Sequence, residues 1–285
     1  MSAALLVFGR TGQVGSYLAT MPGVVALGRE AADLADPDAC AAAIRAQAPA
    51  AVINAAAWTA VDAAEDDPEG AHRANSAAPG AMAQTCARLG IPFVHISTDY
   101  VFDGSGDRPW QPGDTPAPLN AYGRSKLAGE RAVAGAGGVH AILRTSWVVS
   151  ARGRNFLTTM LRLGAERDRL TVVADQIGGP TPAADLAAAC HAVAQRLMEH
   201  PDLSGLYHYA GAPDTSWAGF ARAIMEEAGL ACEIANIATA DWPTPATRPL
   251  NSRLDCSTLG ALGLQRPDWR AGLRAALAEI NRETP

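Results

Sequence analysis

The apolar residues of this chain fall into short uninterrupted runs that alternate with longer, Ala-rich stretches. Six of the runs have the length of buried strands: Ala4–Phe8, Val24–Leu27, Ala51–Asn54, Phe93–Ser97, Ala141–Arg144 and Leu170–Val173. The stretches between them predict helices: Asp38–Ala48, Glu69–Leu89, Tyr122–Ala134 and Phe156–Arg167. Because the runs are apolar without alternation, we expect the strands to lie between two layers of helices. The pattern therefore predicts an α/β fold with a doubly wound parallel sheet.

The second half of the chain has a different pattern, which begins at the proline-containing segment 178–182. Beyond it the sequence predicts helix, strand, helix, Pro-rich loop and final helix, over Ala183–Glu199, Leu206–Tyr209, Trp217–Ala228, Trp242–Asn251 and Trp269–Asn281. No repeat or low-complexity linker separates the two halves. We predict a larger domain over residues 1–146, with later strands near 170–174 and 206–210 joining its sheet. Residues 147–285 would form a smaller lobe that sits on this sheet.

Composition and charge exclude several classes of function. The 285 residues are 48% hydrophobic and carry 23 basic against 29 acidic side chains, a formal net charge of −6. This mildly acidic balance, without a dense basic run, argues against a nucleic-acid partner. The first apolar run is too short to cross a membrane and lacks the features of a leader. Five widely spaced cysteines predict reduced thiols in a cytoplasmic protein, and the six histidines have no metal-site spacing.

A glycine-rich segment follows the first predicted strand and opens a helix. Gly9, Gly12 and Gly15 have the spacing Gly-x-x-Gly-x-x-Gly. The first would allow a tight turn, the second a close approach to a pyrophosphate, and the third close packing of helix on strand. The segment predicts a dinucleotide site, with an ordinary strand–helix turn as the alternative. The residues between the glycines belong to the same predicted cofactor site: Thr11, Gln13 and Val14.

The end of the second predicted strand should contact the adenosine ribose of a dinucleotide. An acidic residue at its tip would favour NAD(H), but the strand ends at Arg29, which can pair with the 2′-phosphate of NADP(H). We therefore expect NADP(H), with NAD(H) still open, unless Arg29 is simply a solvated surface charge. Further cofactor contacts are expected just beyond the second and third strands: Asp33, Leu34, Ala55, Ala56 and Ala57.

Tyr122 and Lys126 lie four residues apart and would share one face of a helix. A lysine ammonium favours the phenolate and would bring the pKa of Tyr122 toward neutral pH; it can also bind the nicotinamide ribose. Thr98, at the carboxyl end of the fourth predicted strand, can hold a substrate oxygen, although a turn-forming hydroxyl is the alternative. Together these residues predict a short-chain dehydrogenase that reduces a ketone.

Several longer segments carry a more specific pattern, in order along nearly the whole chain: Asn54–Asp62, Ser97–Gly104, Tyr122–Lys126, Arg144–Val148 and Arg248–Ser252. In this combination the chain resembles the dTDP-4-dehydrorhamnose reductase family of extended short-chain dehydrogenases. The resemblance implies a Rossmann sheet that binds NADP(H), with a smaller C-terminal substrate-binding lobe. It also implies reduction of the 4-keto group of dTDP-4-dehydro-L-rhamnose to dTDP-L-rhamnose, the last step of dTDP-rhamnose biosynthesis for cell-envelope polysaccharide.

The resemblance also implies roles for individual residues. Thr98, Tyr122 and Lys126 would form the catalytic triad. For Trp147 the alternative is a core tryptophan at a domain junction, and for Arg248 it is a surface salt bridge. The substrate contacts that the resemblance implies are Asp99, Tyr100, Trp147, Asn155, Arg248 and Asn251.

Two contrasts narrow what the resemblance implies. Related sugar-nucleotide dehydratases carry Asp-Glu after the threonine, whereas this chain has Asp99-Tyr100, which favours simple reduction. Metal-linked dimers of the resembled family use glutamates where this chain has Tyr17 and Ala184, and only Glu279 matches. We therefore expect no metal, and a monomer or a metal-independent homodimer.

Two alternative functions stay open. One is a reductase or epimerase of another nucleotide-linked keto sugar. The stereochemistry of the sugar is recognised by loops whose structure the sequence does not predict. The other is a non-catalytic regulatory subunit that binds a dinucleotide. The intact set of Thr98, Tyr122 and Lys126 argues against the second alternative.

Overall fold

The computed structural model describes residues 4–283, the last of them by its backbone only. Within this range the strands are β1 (Leu5–Phe8), β2 (Val24–Leu27), β3 (Ala51–Asn54), β4 (Phe93–Thr98), β5 (His140–Thr145), β6 (Val148–Val149), β7 (Arg169–Val173), β8 (Ile177–Gly178), β9 (Thr181–Pro182), β10 (Gly205–His208), β11 (Thr215–Ser216), β12 (Glu233–Ile237) and β13 (Asn251–Ser252).

The α-helices of the described residues are α1 (Gln13–Leu18), α2 (Pro37–Gln47), α3 (Ala63–Asp66), α4 (Pro68–His72), α5 (Ala78–Leu89), α6 (Ala121–Gly135), α7 (Phe156–Glu166), α8 (Ala183–Glu199), α9 (Trp217–Ala228) and α10 (Trp269–Glu283). None of these helices is long and apolar enough to span a membrane.

The central sheet has six strands in the order β10-β5-β4-β3-β1-β2, and every neighbouring pair is parallel. The predicted fold class, a doubly wound parallel sheet, is confirmed. From β1 the chain adds β2 on one side of the sheet and then β3 on the other, so the strand order reverses between β1 and β3. Ligands of such sheets bind in the crevice beside this switch point. The segments that leave β1 and β3 therefore lie where a dinucleotide is expected.

Alternate residues of the central strands face two different helical layers. Leu5 and Val7 of β1 belong to an apolar cluster with residues of α1 and α8. Leu6 and Phe8 belong to a cluster on the other face, with residues of α2 and α5. Since both faces are covered, the strands are apolar throughout, which explains the uninterrupted runs in the sequence.

The C-terminal elements build a separate apolar cluster beside the sheet. It is formed by side chains of α7, α9 and α10 together with β7 and β12, and Phe220 and Trp269 are buried in it. The segment near 170–174 does not join the central sheet, contrary to our expectation. It forms β7, which pairs in parallel with β12, a strand that the sequence analysis did not predict. The segment near 206–210 forms β10 at the edge of the central sheet.

The stretch predicted as one helix over Glu69–Leu89 is interrupted. A π-helical turn at Arg73–Ala77 separates α4 from α5. Asn75 lies in this turn, where its side chain accepts from Trp58 N and donates to Trp58 O and Ser125 Oγ. The wider turn thus directs one buried amide toward two other segments, an arrangement that depends on residues distant in sequence.

Helix α6 is held to the sheet by a buried ion pair. The carboxylate of Glu130 accepts from Arg144 Nε at 2.8 Å and from Arg144 Nη2 at 2.6 Å. Ser97 Oγ donates to the same carboxylate at 2.5 Å. The side chains of Glu130 and Arg144 are 4% and 3% exposed, so neither charge has water as a substitute partner. Removing one partner would leave the other buried and unpaired.

We predict that Glu130→Ala lowers the free energy of unfolding by about 3–5 kcal/mol, because Arg144 loses its only described carboxylate partner. Urea denaturation followed by circular dichroism measures this change. The matched control is Glu166→Ala, which breaks the exposed Arg162–Glu166 pair and should cost less than about 1 kcal/mol. Equal losses in the two variants would contradict the prediction.

Candidate active site

A cleft of about 990 Å³ opens at the carboxyl ends of the central strands. Most of the residues that the sequence analysis singled out line this one cleft, although they come from distant parts of the chain. They are Gly9, Thr11, Gly12, Gln13, Val14, Arg29, Asp33, Leu34, Ala55, Ala56, Ala57, Thr98, Asp99, Tyr100, Tyr122, Lys126 and Trp147.

The glycine segment forms the tight turn between β1 and α1. Gly9 has φ +100°, and a Cβ at this position would lie 2.9 Å from Ala56 N. A Cβ on Gly15 would collide with Gly9 O, so this third glycine allows α1 to pack directly on the turn. Gln13 Oε1 is buried without a hydrogen-bond partner in residues 4–283. The backbone cradle and the unpaired polar atom together fit a polar ligand against this turn.

The end of β2 carries both signs of charge. Arg29 is exposed and lies 3.3 Å from Asp33 Oδ2. Glu30, which our sequence analysis overlooked, accepts from Arg10 Nη2 at 2.7 Å, and its carboxylate lies against Gly28 of the cleft. The expectation that no carboxylate lies at this strand end is therefore wrong. The guanidinium groups at this strand end, those of Arg10 and Arg29, are each paired with a carboxylate.

Helix α6 brings Tyr122 and Lys126 into the cleft. Asn120 caps the helix by accepting from Gly123 N at 2.8 Å, and the two catalytic candidates follow on one face. Both are buried, with Tyr122 9% and Lys126 2% exposed. Lys126 Nζ donates to Ile96 O at 2.6 Å, which places its charge at the end of β4.

Burial governs the proton affinities of these two groups. It raises the pKa of Tyr122 to about 12, with a further rise from the Asp99 charge and an opposing effect of the hydrogen bond with Thr98. It lowers the pKa of Lys126 to about 8, against the effect of Glu130. Burial favours the neutral form of each group. Contrary to our expectation, the phenol is thus a weaker acid here than in water, and Tyr122 stays protonated at neutral pH.

Thr98 and Asp99 form a second polar group beside Tyr122. Thr98 Oγ1 donates to Asp99 Oδ1 at 3.1 Å and accepts from Tyr100 N at 3.2 Å. Burial raises the pKa of Asp99 to about 6, against the effects of its hydrogen bonds with Ser252 and Thr98. The ring of Tyr100 packs edge-on against Tyr122 at 5.5 Å. This side of the cleft therefore carries the hydroxyl groups of Thr98, Tyr100 and Tyr122 and the carboxylate of Asp99 close together.

Trp147 forms an aromatic wall of the same cleft. Its φ of +50° is unusual for a bulky residue, and its ring stacks on Trp217 with centroids 3.7 Å apart. A Cβ on Gly178 would lie 3.0 Å from the Trp147 ring, so only a glycine fits against the ring at this point. The wall has an apolar surface of the kind that binds a sugar or a base.

Comparison with known proteins places the chain in a family. The model of the RmlD substrate binding domain matches residues 3–282. The dTDP-4-dehydrorhamnose reductase of Burkholderia thailandensis is 46% identical over 97% of this chain and 98% of its own length. The chain belongs to the dTDP-4-dehydrorhamnose reductase family. The resemblance stated from the sequence is thereby confirmed.

Two further relatives agree with this assignment. The dTDP-4-dehydrorhamnose reductase of Escherichia coli K12 is 42% identical over 97% of both chains. The crystal structure of the dTDP-4-dehydrorhamnose reductase of Bacillus anthracis, solved in complex with NADP, superimposes with a TM-score of 0.91 at 33% identity. The superposition covers 98% of this chain and all of the other.

Three predicted substrate residues lie outside the cleft of this reductase-family chain. Asn155 caps α7, accepting from Thr158 N and donating to Ser150 O. Arg248 makes a two-point ion pair with Asp62. Asn251 is 2% exposed and donates to backbone carbonyls of the loop that follows β4. Each of these side chains forms hydrogen bonds or an ion pair with another segment of the chain, and none of the three lines the cleft.

The residues that match the metal-site positions of the family make a different contact. Tyr17 Oη donates to Glu279 Oε2 at 2.7 Å, and Arg152 Nε donates to Glu279 Oε1 at 2.7 Å. Glu279 thus pairs with a phenol and a guanidinium of its own chain. No cluster of three or more His, Cys, Asp or Glu side chains suited to a metal occurs in the part of the chain that the structure describes.

Several cleft residues were missed by the sequence analysis. Trp217 begins α9 and stacks on Trp147, while Arg152 and Arg154 come from the loop before α7. The Arg-Gly-Arg spacing of that loop was the only local signal for the two arginines. Arg73 of the π turn also lines the cleft. These basic residues lie in the same cleft as the Gly segment and could face a phosphorylated ligand.

We predict that Gly9→Ala weakens NADPH binding at least about tenfold, because the added methyl group strains the turn and crowds Ala56. Fluorescence titration with NADPH measures the Kd. Gly90→Ala is the matched control, since Gly90 also has a positive φ (+66°) but ends α5 with nothing within 4 Å of the added Cβ. Wild-type affinity in Gly9→Ala would contradict the prediction.

Proposed function

We propose that this chain reduces the 4-keto group of dTDP-4-dehydro-L-rhamnose to dTDP-L-rhamnose with NADPH, the last step of dTDP-rhamnose biosynthesis. The observation that carries the proposal is the convergence of Thr98, Tyr122 and Lys126 beside the Gly segment in one cleft. Family membership supports the substrate, because relatives at 42–46% identity are named dTDP-4-dehydrorhamnose reductases.

The cleft fits a bound NADP(H), which supplies the hydride when present. The turn at Gly9 and Gly12 would hold the pyrophosphate against backbone N–H groups. Arg10 and Arg29 are the groups available to a 2′-phosphate, while Glu30 could instead accept from a ribose hydroxyl, so use of NAD(H) stays open. A related reductase bound to NADP supports the first cofactor.

Tyr122 is the proton donor in this proposal. Because burial keeps its phenol protonated, it can deliver a proton to the carbonyl oxygen as negative charge develops there. Thr98, which is hydrogen-bonded with Tyr122, orients the phenol, and its hydroxyl would donate to the same oxygen after turning away from Asp99. A protonated Lys126 lowers the cost of the phenolate that remains after the transfer. Asp99-Tyr100 offers no eliminating carboxylate pair, which favours reduction over dehydration.

The finer features of the proposal concern substrate and assembly. Asp99, Tyr100 and Trp147 line the cleft and would contact the sugar, whereas roles for Asn155, Arg248 and Asn251 have no support from the contacts described above. We keep residues 1–146 as the NADP(H)-binding domain and 147–285 as the substrate lobe. A cytoplasmic location and a monomer or metal-independent homodimer also stay predictions.

The proposed reaction is tested by mixing the protein with NADPH and the keto sugar made enzymatically from dTDP-glucose. We expect NADPH oxidation and dTDP-L-rhamnose as product. Tyr122→Phe should lose at least about a hundredfold in kcat while its NADPH Kd stays near wild type, because only the transferable proton is removed. No oxidation by the wild type would refute the reaction, and near-normal turnover by Tyr122→Phe would refute the mechanism.

The pH profile should follow Lys126. Its pKa is lowered to about 8, so its ammonium is present below that pH and lost above it. If the charge assists the phenol, kcat/KM for NADPH, which reports the cofactor-free protein, falls about tenfold per pH unit above pH 8, whereas Tyr122 remains protonated across this range. A profile that stays flat to pH 10 would show that the charge of Lys126 is not required.

A further inference from the structure

A row of three buried polar side chains leads away from the cleft beneath Lys126. Asn54 of β3 and His95 of β4 are direct partners in the parallel register, so their side chains project side by side. Asn54 Nδ2 lies 3.1 Å from His95 Nδ1, and His95 Nε2 lies 3.4 Å from Lys126 Nζ. Asn54 and His95 are fully buried and Lys126 is 2% exposed, so water does not replace these contacts.

The orientation of the Asn54 amide decides which nitrogen of His95 carries the proton. Ala56 N can only donate, and it does so to Asn54 Oδ1 at 3.1 Å. The amide nitrogen of Asn54 therefore faces His95, and this nitrogen also can only donate. His95 Nδ1 must accept, which leaves the ring neutral with its proton on Nε2.

The Nε2 proton of His95 points at the amine of Lys126. A lysine ammonium has three N–H donors and no acceptor, so it cannot accept this proton. A neutral lysine amine has a lone pair that accepts it, while one of its own N–H groups still donates to Ile96 O. The Nε2 proton of His95 therefore finds an acceptor in this row only when Lys126 is uncharged.

We propose that Asn54 and His95 are positioning residues that favour the neutral amine of Lys126 against β4, so that Lys126 loses its proton more readily before the cofactor is bound than after. The proposal deepens the proposed function and rests on it, because it concerns the lysine assigned to assist Tyr122. A cofactor ribose hydroxyl can accept from Lys126, and such an acceptor would favour the ammonium that the reaction uses.

The electrostatic surroundings of Lys126 agree with this assignment. Burial and the lysine charge both lower the pKa of His95, which keeps its ring neutral. Glu130 favours the ammonium form of Lys126, but its carboxylate is already paired with Arg144. The charged or titratable groups that interact with Lys126 are His95 of β4 and Glu130 of α6, and Arg144 of β5 pairs with Glu130. Four more titratable groups line the same cleft, from α6, the π turn and the segment after β4: Tyr122, Arg73, Asp99 and Tyr100.

The composition of the chain makes a direct measurement possible. Lys126 is the only lysine in the sequence, so protein labelled with ¹³Cε-lysine gives a single lysine resonance. Its titration reports the proton on Nζ without any turnover. ¹⁵N-histidine labelling reports the tautomer of His95, which is identified among the six histidines by the signal missing from His95→Gln.

In the cofactor-free wild type we expect His95 to stay neutral with its proton on Nε2 from pH 5 to pH 9. We expect the Lys126 resonance to titrate near pH 8, and at higher pH once NADPH is added. A proton on Nδ1, an imidazolium at pH 6, or a Lys126 midpoint that NADPH leaves unchanged would overturn the proposal.

His95→Gln tests the coupling, because an amide oxygen facing Lys126 accepts from its ammonium. We expect the Lys126 midpoint, and the alkaline limb of kcat/KM with it, to rise by about one pH unit. His208→Gln is the matched control, since His208 is likewise fully buried on a strand of the same sheet but contacts Trp110 O. It should leave the Lys126 midpoint unchanged at a similar cost in stability.

Asn54→Asp provides a second variant of nearly the same size. Its carboxylate accepts from His95 Nδ1, so the imidazole lone pair on Nε2 would face Lys126 and stabilise the ammonium. The Lys126 midpoint should rise here as well, and an unchanged midpoint in both variants would overturn the proposal. If the wild type titrates as expected but does not oxidise NADPH with the keto sugar, the proposed function fails while the assigned row stands.

Discussion

The buried pairing of Glu130 with Arg144 fixes the element on which the candidate site depends. Helix α6 carries Tyr122 and Lys126 on the face that meets the sheet, and Glu130 follows one turn after Lys126. Its two contacts with Arg144 tie α6 to β5, and the Ser97 hydroxyl ties it to β4. A small rotation of α6 would move both candidate catalytic groups, so the Glu130–Arg144 pair fixes the positions of Tyr122 and Lys126 in the cleft.

The same low-polarity environment acts in opposite chemical directions on the two groups of α6. It keeps the phenol of Tyr122 protonated, which suits a proton donor, and it weakens the hold of Lys126 on its proton. A lysine ammonium in water would be permanently charged at neutral pH. Burial therefore keeps Tyr122 protonated and lets the charge of Lys126 change near neutral pH. The row of Asn54 and His95 adjusts that charge further in our proposal.

Much of the fold followed from local patterns. The short apolar runs predicted β1 to β5 because strands covered on both faces leave no other pattern, and Gly9 and Gly15 marked a turn that excludes a Cβ. Other features depended on partners that no local pattern names. The segment 170–174 needed β12 as its neighbour, and the π turn needed contacts of Asn75 with residues distant in sequence.

The candidate site was also predictable only in part. Backbone requirements and the Tyr-x-x-x-Lys spacing are encoded locally, so the structure brings those residues together. Arg248 illustrates the opposite case, because an arginine in a Pro-flanked loop could serve a phosphate or a carboxylate equally well. Only the fold shows that Asp62 lies opposite it and makes two hydrogen bonds.

The cationic residues of the chain show how the site differs from the rest of the molecule. Apart from the six histidines, every basic side chain except Lys126 is an arginine, and arginine stays protonated in proteins. The arginines here support ion pairs such as those with Glu130, Asp62 and Glu279, where a permanent charge is an advantage. The cleft holds the single lysine, whose pKa is lowered to about 8, on the same helix as the phenol that must give up a proton. The distribution of lysine and arginine therefore separates the groups that hold the fold together from the group whose charge the reaction can change.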